Sequence, residues 1–256
     1  MNYPQIFAPE ILPFIDNKFI EIYKKFNRLT RNNNWIENIK KRLPEDFELN
    51  RQNGENENII CQMIREDSVK EFITYINRTN FSLNNKIKPS IYETHSFLIN
   101  KKLSLIEYAA FFGSIQIFRY LFMNRVKQTS SLWNYVIHSN NPELIHFIEE
   151  KKVPLSNSYK ELFIESIKCH HNDVANYFLN NFLEDKLLAE KDNQLIAKYL
   201  KYFNFSFIQN NYVNEETFYY LCRYDYYILV GILLNDDIKI INKIQYENKD
   251  EIFKIK

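Results

Sequence analysis

The densest group of reactive side chains in the sequence is Cys169-His170-His171, followed by Asp173. Cysteine, histidine and aspartate can bind transition metals or act in nucleophilic catalysis. A zinc site, however, needs ligands that converge tetrahedrally, usually as pairs spaced several residues apart. Adjacent side chains at a helix turn point apart. We therefore interpret this group as polar residues of a turn and keep a metal-dependent or cysteine hydrolase as a less favoured alternative.

The other histidines and cysteines give no further sign of catalysis. His138 and His146 lie on opposite sides of a turn predicted at Asn140-Asn141, and no local signature pairs a cysteine with a histidine. The three isolated glycines form no glycine-rich phosphate-binding loop. The sequence thus predicts a protein that is not an enzyme, with no catalytic residues, no metal, no cofactor and no small-molecule substrate.

Charge and composition restrict the class of partner and the compartment. The net charge is +1, which lacks the basic excess that nucleic-acid binders usually carry. Three widely separated cysteines indicate a reducing compartment, and the first residues do not resemble a signal peptide. Glu107 and Arg119 interrupt the most apolar stretch, 105–122, and argue against a membrane span. We expect a cytoplasmic or nuclear protein that contacts neither nucleic acid nor membrane.

Helical spacing of apolar residues dominates the pattern and predicts an all-α chain. Residues 1–57 are predicted to be an N-terminal helical segment, with Asp16 and Asn34 as helix N-caps. The polar stretch 44–58 is predicted to be a loop at the end of that segment. Residues 58–77 read as a degenerate opening repeat, and 78–102 as a long connection.

The stretch "SLIEYAAFFGSIQIFRYLF" (104–122) predicts a hairpin of two short helices. Ser104 and Glu107 have the spacing of a capping box, in which each side chain satisfies a backbone N–H at the start of the helix. Gly113 can adopt the left-handed conformation that ends a helix, and Ser114 can cap the next one. Both helices are otherwise apolar on most sides. Each helix therefore needs neighbouring helices that cover its apolar surface.

Similar hairpins are predicted to begin near residues 131, 161, 183 and 216. Their turns are predicted at Asn140-Asn141, His170-His171, Asp192-Asn193 and Asp225-Tyr226, which gives spacings of 27, 30, 22 and 33 residues from Ser114 onward. Such self-similarity is typical of an α-solenoid, in which each hairpin covers the apolar face of the next. Residues 58–256 are therefore predicted to form one repeat array.

The hairpin at 104 resembles an ankyrin repeat. Ser104 stands at the repeat's threonine, Ala109-Ala110 at its paired alanines and Gly113 at its turn glycine. The resemblance is to divergent ankyrin proteins of the type expanded in flagellate protists. It covers about residues 58–235 and departs from the pattern at Glu107, which replaces the histidine that ties adjacent repeats. Other helical-hairpin families share the same physics and remain open for the fold.

The resemblance implies a partner-binding surface. In ankyrin proteins the two residues before the turn line the concave face, and the short spacings leave little room for projecting β-hairpin fingers. Carried over by position, the face comprises Phe111, Phe112, His138, Ser139, Lys168, Cys169, Glu190, Lys191, Arg223 and Tyr224. Packing into the protein interior is the alternative reading for Phe111 and Phe112.

These observations lead to an expectation of function. We expect a non-enzymatic module or scaffold that binds a protein partner through the concave face of the array. The alternative is a targeting or scaffold part of a larger ankyrin protein whose effector module lies outside this chain. Fold-level analogy specifies neither the partner nor the pathway.

Overall fold

The computed structural model describes residues 45, 47–155, 158–183, 193–207 and 215–236. Within them the chain is all-α, as predicted, and a single isolated bridge between Lys86 and Ser104 is the only extended pairing. The chain divides into two compact units, residues 1–57 with 89–101 and residues 58–88 with 102–256. The helices predicted behind Asp16 and Asn34 lie outside the described residues.

The described part of the first unit contains one helix, α1 (Phe47–Asn53), where the sequence had predicted a loop. That prediction was wrong because long-range contacts stabilise a short polar segment. The buried Arg51 donates through Nη1 to the carbonyl of Glu93 at 3.2 Å, and the Phe47 ring lies 5.7 Å from that of Tyr92. Such contacts override a weak local propensity for helix.

Eleven α-helices form the described part of the second unit. In chain order they are α2 (Ile59–Arg65), α3 (Val69–Thr79), α4 (Leu105–Phe112), α5 (Ile115–Met123), α6 (Leu132–Ser139), α7 (Pro142–Glu150), α8 (Tyr159–Lys168), α9 (Asn172–Phe178), α10 (Asn193–Lys201), α11 (Glu215–Arg223) and α12 (Tyr227–Asp236). A π-helical turn, Leu179–Leu183, continues α9, and a 3₁₀ turn, Phe205–Phe207, follows α10.

We call α2, α4, α6, α8, α10 and α11 the first helices because each ends shortly before a residue in the left-handed conformation that begins a tight turn. Those residues are Asp67, Gly113, Asn140, His170, Phe203 and Asp225, with φ between 49° and 70°. Each first helix packs against the next one in chain order. The helices that follow the turns, α3, α5, α7, α9 and α12, are the second helices.

The starts of the first helices supply much of the core. Leu105 and Ile106 of α4, Leu132 of α6, and Leu162 and Phe163 of α8 are fully buried. Each such side chain contributes about 1.5 to 3 kcal/mol on burial. The apolar runs that could have suggested a membrane span are thus the contacts between neighbouring first helices. No helix in the described ranges has the length and hydropathy needed to cross a bilayer.

The predicted turn chemistry at 104–123 is confirmed for the capping box and for Gly113, but Ser114, which was predicted to cap α5, makes no side-chain capping bond. Glu107 Oε2 accepts from the Ser104 backbone N–H at 2.9 Å, and Ser104 Oγ accepts from the Glu107 backbone N–H at 3.4 Å. Gly113 has φ 70°, and a Cβ there would lie 3.4 Å from the Cβ of Ser139 in the next turn. The glycine therefore provides both a left-handed conformation and a close approach between consecutive turns.

The predicted turn at Asn140-Asn141 is confirmed in the same detail. Asn140 has φ 51° and ends α6. The Asn141 side chain accepts from the backbone N–H groups of Glu143 and Leu144 at 3.0 and 3.3 Å, and Pro142 occupies the first helical position. Asparagine tolerates the left-handed conformation better than most residues, which explains how it replaces glycine here.

The phase predicted for the hairpin near 183 was wrong. Residues 193–201 were predicted to be its second helix, but α10 packs against α8 and α11, which are both first helices. The turn after α10 lies at Phe203-Asn204, where Phe203 has φ 56° and Asn204 N donates to Tyr199 O at 2.9 Å. The sequence failed to indicate this turn because phenylalanine is an unusual residue at positive φ. The predicted partner helix, 183–191, lies almost wholly outside the described residues.

Candidate functional site

The predicted surface residues of α4 and α6 are largely buried in contacts between first helices. Phe111 is 8% exposed, and its ring stacks on that of His138 with centroids 5.5 Å apart. Phe112 is half-buried beneath the guanidinium of Arg65 at 6.0 Å. Ser139 Oγ donates to the carbonyl of Val136 at 2.7 Å. The alternative of interior packing therefore describes Phe111 better than a solvent-facing contact.

The next predicted pair, Lys168 and Cys169, lies with His138 around the carboxylate of Glu165. His138 Nε2 and Lys168 Nζ both donate to Glu165 Oε1 at 2.9 Å. Cys169 Sγ lies 3.5 Å from His138 Nδ1 and 3.7 Å from Nε2. The side chains of His138 and Glu165 are only 10% and 20% exposed. This group, which we call the Glu165 cluster, joins the end of α6 to α8.

Burial and hydrogen bonding set the protonation states of the Glu165 cluster. Burial opposes ionisation of Glu165, but the hydrogen bonds from His138 and Lys168 outweigh it and lower the pKa of this carboxyl to about 2. Burial, reinforced by the negative charge of Glu165, raises the pKa of the Cys169 thiol to about 12. The cluster therefore holds an ionised carboxylate beside a neutral thiol, which is a poor nucleophile.

The residues predicted as the alternative metal site do not come together. His171 Nδ1 donates to the carbonyl of Ile137 at 2.8 Å, and His170 occupies the left-handed turn position. Among the described residues, the group whose donor atoms lie within 4.8 Å of one another is instead His138, Glu165 and Cys169. These could offer nitrogen, oxygen and sulfur, but three donors leave a tetrahedral site incomplete, and the carboxylate already accepts bonds from His138 and Lys168. We interpret the Glu165 cluster as a group of hydrogen bonds that holds α6 and α8 together.

The remaining predicted surface residues belong to the end of the array. Glu190 and Lys191 lie outside the described residues. Arg223 is exposed at the end of α11, where its Nη1 donates to Tyr219 Oη at 3.0 Å, and Tyr224 is half-buried beside it. The end of α10 carries the exposed Lys201 and the half-buried Tyr202.

Sequence reasoning missed a hydrogen bond that recurs at the turns. The residue after the left-handed position uses its side chain to donate to a backbone carbonyl near the end of the preceding first helix. The donor and acceptor pairs are Ser114 with Ile64, Asn141 with Gly113, His171 with Ile137, Asn204 with Ile167, and Tyr226 with Leu200. Because Ser, Asn, His and Tyr all serve as donors, sequence similarity alone did not reveal the pattern.

Sequence reasoning identified Glu107 as a member of the capping box and as a departure from the ankyrin histidine, but it missed the bonds from Glu107 to the next hairpin. Its Oε1 accepts from Thr129 Oγ1 at 2.7 Å and from Ser131 Oγ at 3.1 Å, next to the start of α6. Burial works against ionisation, but the bonds from Ser104, Thr129 and Ser131 outweigh it and lower the pKa of Glu107. The carboxylate thus connects consecutive hairpins. A second capping box, Ser158 with Glu161, was visible in the sequence as Ser-x-x-Glu.

Comparison with known proteins finds no matching family model, no matching curated relative and no matching solved structure.

Proposed function

We propose that this chain is a non-enzymatic protein interaction module, built as an α-solenoid of ankyrin-like repeats and acting in the cytoplasm. The observation that carries the proposal is the side-chain bond that recurs at five successive turns. A bond repeated at each boundary is what a stack of similar hairpins requires, since each hairpin buries its face against its neighbours. Arrays of this kind present long surfaces to protein partners.

We propose that the partner binds the ends of the first helices. The side chains concerned include Phe112, Tyr202, Arg223 and Tyr224, of which Arg223 is exposed and the three aromatic residues are half-buried. Aromatic residues and arginine are enriched among the positions that dominate protein–protein affinity. The Glu165 cluster joins α6 to α8, two of the first helices whose ends form the proposed surface.

Site-specific photocrosslinking in cells tests this proposal. The photoreactive amino acid p-benzoylphenylalanine replaces Tyr224 at the end of a first helix or, as the matched control, Met123 at the end of the second helix α5. Met123 is 77% exposed, so the control position is at least as accessible. We expect a discrete protein adduct from position 224 and none of the same mass from position 123.

The same adduct from both positions, or from neither, would contradict the proposal. A small molecule or nucleic acid cross-linked at position 224 would contradict the nature of the partner. Circular dichroism of each labelled protein against the unlabelled chain establishes that both remain folded before the cells are irradiated.

A further inference from the structure

Basic residue types recur at one register position of the first helices, two residues before the left-handed turn residue. That position is Arg65, Phe111, His138, Lys168, Lys201 and Arg223 in the six first helices. Five of the six are basic residue types, although the whole chain has a net charge of only +1. The positive charge is therefore concentrated along one edge of the packed first helices.

The helix dipole does not account for this pattern. Cations are favoured near any helix C-terminus, by about 0.3 to 1 kcal/mol at exposed sites. The same preference applies to the second helices, yet of the five described ones α3 alone has a basic residue in its last turn, Arg78, and α5, α7, α9 and α12 have none. The second helix α7 ends instead in Glu149 and Glu150. A cause specific to the first-helix ends is needed.

The charges differ in how far they are already neutralised inside the protein. His138 and Lys168 both contact Glu165. Within the described ranges, by contrast, Lys198, Lys201 and Arg223 form no ion pair with a carboxylate. Lys201 and Arg223 are exposed, and Lys198 is half-buried. The positive charge at the ends of α10 and α11 is therefore not neutralised by a carboxylate of the described residues.

Aromatic rings accompany these charges at the ends of α10 and α11, and two of the rings pack against the core. Tyr220 and Tyr224 pack against the buried cluster of Ile196, Leu200 and Leu221. Lys201 Nζ lies 5.6 Å from the centroid of the Tyr202 ring. Rings fixed in this way contribute apolar contact area at little cost in conformational entropy. The surface therefore combines positive charge with rigid aromatic contacts.

We infer that the ends of α10 and α11 bind an acidic protein segment that has apolar side chains between its carboxylates. We call this surface the basic aromatic surface, comprising Lys198, Lys201, Tyr202, Tyr220, Arg223 and Tyr224. Carboxylates pair with the three cations, and the apolar side chains contact the tyrosine rings. The inference rests on the proposed function and specifies the chemistry of the partner.

Fluorescence anisotropy with a defined peptide tests the inference. The probe is a fluorescein-labelled peptide that repeats Glu-Asp-Leu four times, and its basic counterpart repeats Lys-Lys-Leu. The variant Lys198→Glu/Lys201→Glu/Arg223→Glu reverses the charge of the basic aromatic surface. The control Lys70→Glu/Arg78→Glu/Lys127→Glu makes the same change in net charge at exposed residues outside it.

We expect the wild-type chain to bind the acidic peptide and not the basic one. The surface variant should lose affinity by about tenfold or more, and the control should stay within about twofold of wild type. Binding should weaken as ionic strength rises from roughly 0.01 to 0.15 M. Circular dichroism and thermal melting of both variants establish that any loss does not come from unfolding.

Three results would overturn the inference: no binding of the acidic peptide, equal loss in both variants, or tighter binding of a labelled single-stranded oligonucleotide or of phosphatidylserine vesicles. These results are separate from the crosslinking experiment. A protein adduct at position 224 together with no peptide binding would leave the interaction function standing and remove only the acidic partner.

Discussion

One register position of the first helices has different surroundings in two regions of the chain. The first region contains α6 and α8, and the second contains α10 and α11. In α6 and α8 the position holds His138 and Lys168, which both donate hydrogen bonds to Glu165. In α10 and α11 it holds Lys201 and Arg223, which are exposed and, among the described residues, contact tyrosines rather than carboxylates. The same register position thus has different surroundings in the two regions, and we propose that it serves recognition only in the second.

Substitution of Glu107 gives the strongest test of how much buried hydrogen bonds stabilise the region that contains α4, α6 and α8. Glu107→Ala removes the acceptor for Ser104, Thr129 and Ser131 in a buried site, and we expect a loss of about 2 to 4 kcal/mol in the free energy of unfolding. Glu161→Ala, in the equivalent but exposed capping box of α8, should cost about 1 kcal/mol. Urea denaturation measures both, and equal losses would contradict the role of Glu107 between hairpins.

The register position itself can be tested by matched truncations in the two halves. His138→Ala removes a ring that stacks on Phe111 and bonds to Glu165, so we expect a loss of about 2 kcal/mol. Arg223→Ala removes an exposed side chain and should change stability by less than about 0.5 kcal/mol. Chemical denaturation measures the free energy of unfolding of both variants. An equal loss in the two would contradict the difference between the two regions.

The turns allow a test in which the two substitutions have opposite signs. Gly113→Ala places a Cβ at φ 70° near Ser139 and should cost about 1 to 2 kcal/mol. Phe203→Gly relieves a bulky side chain at φ 56° that is 64% exposed, and we expect a gain of up to about 1 kcal/mol. Melting temperatures should therefore move in opposite directions. A fall in the melting temperature of Phe203→Gly would mean that contacts of the Phe203 ring with Tyr226 outweigh the backbone strain at positive φ.

These turns also show why the sequence predicted one part of the fold better than another. Around Gly113 the signals are local, because a capping box and a turn glycine are defined by neighbouring residue types. At Phe203 the turn depends on packing between helices, and nothing in the residue type indicates it. The same holds for α1, whose helix depends on contacts of Arg51 and Phe47 with residues 40 or more positions away.

The sequence predicted where the candidate surface residues lie along their helices, but it did not predict which side chains surround them. Counting back from the predicted turns identified His138, Lys168 and Arg223 correctly as side chains at first-helix ends. It could not identify Glu165, which lies one helical turn earlier and neutralises two of them. It also placed Glu190 and Lys191 before a turn, whereas the turn after α10 is preceded by Lys201 and Tyr202. The spacing of residues from a predicted turn gives their positions along a helix. The ion pairs they form depend on which helices the fold brings together.

The last effect we predict is the pH dependence of the Glu165 cluster. The folded-state pKa of Glu165, about 2, lies below its ordinary value of 4.5. The unfolded chain therefore binds a proton first as pH falls, so the stabilisation is complete above about pH 4.5 and is lost towards pH 2. After allowance for solvent screening, we expect about 1 to 2 kcal/mol. The difference in unfolding free energy between wild type and Glu165→Gln should shrink across this range, and a constant difference would contradict the ion-pair role. Because Arg223 has no such carboxylate, Arg223→Gln should show no comparable change, which makes it the matched control for the second half of the array.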